Sequence, residues 1–93
     1  MALVGSGVIG PGQADHFPVV LQAGTTYRIY VGPSDPSVDF DLYIRDENGV
    51  LVASDETTHP DALCQITPRW TGPFLMSVRS ARGAASYSIS VQA

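Results

Sequence analysis

Polar and apolar residues alternate along this chain in short runs, and Gly or Pro interrupts almost every window of twelve. Alternation of period two predicts half-buried strands, whereas no stretch sustains the 3.6 period of a helix. From Asp15 to Gln22, Phe17, Val19 and Leu21 share one face. Gly24 turns the chain, and Tyr27, Ile29 and Val31 then alternate with Thr26, Arg28 and Tyr30. After the loop Gly32–Pro36, whose prolines remove ladder donors, Phe40, Leu42 and Ile44 alternate with Asp39, Asp41, Tyr43 and Arg45. Asp46-Glu47-Asn48-Gly49 predicts a hairpin turn, because Asn and Gly tolerate positive φ, and Val50 to Ala53 returns from it. Beyond a polar loop, further strands are predicted over Leu63–Thr67, Phe74–Arg79 and Ser86–Val91.

That makes seven strands, or eight if Val4–Ile9 pairs, with no helix. The expected fold is all-β: an antiparallel β-sandwich. Pro18 places the first of these strands at an edge or a bulge. The inward phase collects Phe17, Tyr27, Phe40, Phe74 and Tyr87 as core, and Ser86, Ser88 and Ser90 should look at solvent.

Composition narrows the function classes. Ninety-three residues build one core, here residues 10–93, with residues 1–9 a leader or a short first strand. Seven Asp and two Glu face five Arg and no Lys, for a formal net charge of −4. Such a surface repels phosphate backbones and anionic lipid, which argues against nucleic acid and membrane insertion. The single Cys64 forms no internal disulfide and is expected to be a buried, reduced core residue. Met1–Ile9 has no basic n-region and is broken by Gly5 and Gly7, so it reads as neither signal peptide nor membrane span. The chain is then either cytoplasmic or part of a longer exported precursor.

The run from Val38 to Asp46, then Asn48-Gly49 and Leu51-Val52-Ala53-Ser54, resembles the central hairpin of the bacterial pre-peptidase C-terminal domain family. The flanks are similar too: Gly10 to Asp15, the Leu21–Gly24 turn, Thr71-Gly72-Pro73-Phe74 through Val78, and Tyr87 to Val91. The resemblance covers about residues 10 to 92; Trp70, Pro73 and Pro18 depart from the family's pattern. It implies a small, jelly-roll-like, non-catalytic sandwich appended to secreted peptidases and other exported enzymes, related to the collagen-binding domains of clostridial collagenases. It further implies a role in secretion, localisation or binding of protein substrate or matrix, with the parent enzyme's catalytic domain as another partner.

Asp39 and Asp41 leave one face of their strand, and two carboxylates so spaced repel unless a cation or donor lies between them. Calcium, which takes six to eight oxygens, is the candidate cofactor. Asp46 would lie roughly 16 Å from Asp41 along the strand, so the expected further ligands are Asp15, or Asp55 with Glu56 near the far end of the returning strand. The competing account is that Asp39 and Asp41 accept from backbone amides or from an Arg such as Arg28.

Tyr30 and Tyr43 fall on the outward phase, and with Trp70, Arg28 and Arg45 they are the candidate binding surface for protein or sugar. His16 and His59 are too isolated for metal ligation, Gly5-Ser6-Gly7 lacks a nucleophile elbow, and a sandwich this small encloses no deep cleft, so no enzyme is expected. Self-association through strand edges or the tyrosine face, and carbohydrate binding through Trp70, stand as alternatives.

Overall fold

The computed structural model describes the backbone of residues 2–93 and side chains from residue 4 onward; Met1, part of the expected leader or first strand, lies outside them. Eight strands follow in order: β1 (Ala2–Ile9), β2 (Ala14–Leu21), β3 (Tyr27–Pro33), β4 (Asp39–Asp46), β5 (Leu51–Asp55), β6 (Ala62–Ile66), β7 (Gly72–Arg82) and β8 (Ala85–Gln92). They form a front sheet in the order β1-β8-β3-β6 and a back sheet in the order β2-β7-β4-β5. Every neighbouring pair is antiparallel, and this is the strand order of a jelly roll.

The alternating residues carry the packing. Phe17 faces Met76, Met76 faces Ile44, and Ile44 faces Ala53, a row of apolar side chains across the whole back sheet. Against it the front sheet sets Ile29, Val31, Cys64, Tyr87 and Ile89, all buried. Hydrophobic burial between two such faces is what holds a sandwich of this size together. Tyr87 meets Phe17 and Phe40 edge-on, with ring centroids 6.3 and 5.8 Å apart.

The turn residues behave as their chemistry requires. Gly49 sits at φ +80°, and the Asp46 carboxylate accepts from the backbone N–H of Asn48 and Val50 at 2.9 and 3.0 Å. β2 is an edge strand, as Pro18 demands. Two expectations need correction. β7 runs on to Arg82, past the predicted Arg79, because β4 continues to pair with it beyond the end of β2, Phe40 with Ser80 and Asp39 with Arg82. Ser86 and Ser88 face solvent, but Ser90 is buried, since β8 lies between β1 and β3, with Tyr30 opposite Ser90.

Residues 2–9 form strand β1, which pairs along β8. Its glycines allow close approach: a Cβ at Gly5 would overlap the Phe17 ring, and one at Gly7 would lie 2.9 Å from the Tyr87 hydroxyl. Among the described residues no helix is long and apolar enough to cross a membrane.

Candidate functional site

Strand alternation puts Asp39, Asp41, Tyr43 and Arg45 together on the outer face of the back sheet. Asp41 is nevertheless only 6% exposed, and one carboxylate oxygen each of Asp39 and Asp41 is buried without a hydrogen-bond partner. Burial first, then the charges of Asp39 and Glu56, push the Asp41 carboxyl up to about 6, while Arg79 pulls the other way. The Tyr43 hydroxyl donates to Glu56 at 3.0 Å and reaches Asp41 at 3.5 Å. Burial and the Glu56 contact raise that hydroxyl to about 12. Across the Tyr43 ring lies the Arg45 guanidinium, 5.6 Å from the centroid. Crowding by neighbouring acids and burial both favour the protonated form of Asp41.

The four carboxylates expected to hold calcium do not form one site. Asp15 pairs with Val78, Val78 with Leu42 and Leu42 with Asp55, so Asp15 and Asp55 stand on the inner face, at opposite edges of the back sheet. With strands ~4.8 Å apart, three spacings separate them by about 14 Å. Asp15 accepts from the Tyr87 hydroxyl. Asp55 accepts from the Leu63 backbone N–H and from the Thr57 N–H and hydroxyl. Burial raises Asp55, but those bonds outweigh it and hold the carboxyl below its usual value. Among the described residues no group of three or more His, Cys, Asp or Glu is disposed to hold a metal ion. Asp39 and Asp41 come together, and Glu56 reaches Asp41 through the Tyr43 hydroxyl, which is far short of the oxygens calcium takes. The cation beside Asp41 is Arg79, its register partner on β7; Arg28, on the other sheet, bonds Gln65 instead.

The expected binding surface is divided in the same way. Tyr30 and Arg28 lie on the outer face of the front sheet, Tyr43 and Arg45 on that of the back sheet. Burial and the neighbouring Asp61 raise the Tyr30 hydroxyl. Trp70 belongs to neither face. It is 40% exposed and stacks on Phe74, with centroids 6.0 Å apart and planes at 22°. There it walls a groove of about 480 Å³ with Val52, Ile66, Pro68, Arg69 and Phe74. The groove opens beside β5 and β6, each an edge strand of its sheet.

Sequence reasoning missed the Asp15–Tyr87 bond and a second contact, between His16 and Ser77. His16 Nδ1 lies 2.7 Å from Ser77 Oγ, because β2 and β7 place them opposite each other. Only the pairing register reveals it, since 61 residues separate the two. Ser77 is 4% exposed, so the pair presents no nucleophile to a substrate.

Together these features define a small jelly-roll domain. No protein-family model matches the sequence, and no curated protein does either. Solved structures do. The pre-peptidase C-terminal domain of a collagenase from Bacillus anthracis superposes with a TM-score of 0.73 at 12% identity, over 97% of this chain and 90% of that one. PliG of Aeromonas hydrophila, a periplasmic lysozyme inhibitor of g-type lysozyme, gives 0.61 at 15% identity, over 94% and 82%. The chain thus has the fold of a pre-peptidase C-terminal domain, as the hairpin motif implied.

Proposed function

We propose that this chain is a non-catalytic accessory domain of a secreted bacterial enzyme, a peptidase first among them, that aids secretion, localisation or binding of protein substrate or matrix. The observation that carries this reading is the likeness to the collagenase domain over nearly the full length of both chains. The burial of Ser77 beside His16 supports a binding rather than a catalytic role. The test is retention of the isolated chain on gelatin, casein and insoluble polysaccharides. Retention on the protein matrices alone is expected. Retention on polysaccharide alone would favour the carbohydrate-binding alternative, and light scattering that shows a dimer without retention would favour self-association.

A second reading is favoured by one observation, the likeness to the lysozyme inhibitor. The same sandwich would then bind and block a partner enzyme outside the cytoplasm. Inhibition of a g-type lysozyme in a cell-lysis assay would support it.

A further inference from the structure

The two ends of the back sheet differ in how they manage a free edge. At β2, Pro18 has no N–H to offer. At β5, Leu51 to Ser54 carries no proline and no charge, and β5 pairs only with β4. Alternate backbone groups of such a strand point outward and can pair with another chain. Val50, Leu51 and Val52 are 57%, 47% and 43% exposed, in a run. The bulge opposite Arg45 skips Val52 in the pairing, and Val52 lines the Trp70 groove. A free strand edge and an apolar groove are therefore continuous.

Charge selects what fits there. Arg69 is the one charged residue that lines the groove. At the other end of β5 stand Asp55 and Glu56, about 13 Å from Leu51 along the strand. A second copy fits poorly: antiparallel pairing of two β5 strands would gather Asp55 and Glu56 of one copy and Glu47 of the other around a single Arg69 at each end, with a formal charge of −4 on each chain. A segment with opposite charges at its two ends meets complementary charge at both.

We propose that the β5 edge and the Trp70 groove receive an extended segment of another polypeptide by strand addition. The segment is an alternating apolar run of about five residues, with a Lys or Arg meeting Asp55 and Glu56 and a carboxylate meeting Arg69. The proposal rests on the accessory-binding reading and names its contact surface and partner class.

The test uses the 93-residue chain labelled with ¹⁵N. It is titrated with a capped heptapeptide Lys-Val-Thr-Val-Thr-Val-Glu and with its Gln-ended counterpart. The expected result is saturable amide shifts at residues 50–55 and 65–70, with the Gln-ended peptide at least fivefold weaker. Val52→Lys, whose own spectrum confirms its fold, should weaken binding at least tenfold. Shifts centred on the Tyr43 face, equal binding of both peptides, or full binding by the Val52→Lys variant would each overturn the proposal. Retention on gelatin without a response at β5 sinks the docking site and leaves the accessory reading standing. A response at β5 without retention on any matrix does the reverse.

Discussion

The Tyr87 hydroxyl, on β8 of the front sheet, donates to the Asp15 carboxylate, on β2 of the back sheet, across 72 residues of sequence. The bond ties the two sheets together where Gly7 of β1 passes closely over both groups. Burial and that carboxylate raise the Tyr87 hydroxyl, which therefore stays a donor throughout the working pH range.

Tyr87→Phe keeps the ring contacts with Phe17 and Phe40 and removes only the donor. It should cost about 1.5–3 kcal/mol, the range for a bond to a charged group, in urea unfolding at pH 7. Gly7→Ala should cost more, since its Cβ would meet the Asp15 carboxylate and the Tyr87 hydroxyl together. A loss below about 0.5 kcal/mol for Tyr87→Phe would show that the bond does not contribute.

Asp41 makes stability depend on pH in a defined direction. Its carboxyl is held up at about 6 in the folded chain, against about 3.9 unfolded, so between those values the folded state binds more protons. Stability contributed at this position is therefore full below about pH 4, falls as the pH rises to about 6, and is level above. Asp41→Asn should raise stability at pH 7 by about 1 kcal/mol, after allowing for solvent screening, and leave it unchanged at pH 4. Thermal melts at the two pH values decide it; an equal Tm difference at both would refute the raised Asp41 carboxyl.

Cys64 is buried, and desolvation, then the charge of Asp55, push its thiol up to about 11. Native protein should react with a chromogenic disulfide reagent at least 100-fold more slowly than free cysteine at pH 8, and at the free rate in urea. Rapid labelling of the native chain would contradict the burial.

Asp46 organises the central hairpin. Asp46→Ala removes the acceptor of the Asn48 and Val50 N–H groups and should cost about 2 kcal/mol in chemical denaturation. Gly49→Ala, at φ +80°, should cost about 1 kcal/mol by a separate mechanism, the strain of a Cβ in the left-handed region. Equal stability of Asp46→Ala and wild type would show that the turn does not need the carboxylate.

Much of the fold is legible because its determinants are local. Pro18 announces an edge, and β2 is one; Asn48-Gly49 announces a tight turn, and Gly49 supplies the positive φ. The candidate site is less legible. Asp39 and Asp41 share a face, as period two requires, but their burial comes from neighbours on β7 and beyond β5 that the spacing does not contain. Trp70 stands out as an aromatic in a loop, yet the groove it walls also needs Val52 of β5 and Ile66 of β6, which only the tertiary fold brings beside it.

By itself the sequence determined the strands, their inward residues, their turns and their acidic surface, because alternation and turn chemistry act over a few residues. Only the tertiary structure decided which sheet each strand joins. That choice separates Tyr30 and Arg28 from Tyr43 and Arg45, carries Asp15 to Tyr87 and His16 to Ser77, and divides the expected calcium ligands between two faces. The physical reason is that period two fixes a side chain's face relative to its own strand. Strand partners are set by long-range hydrogen bonding and by burial of one apolar face against another, and no local pattern encodes those.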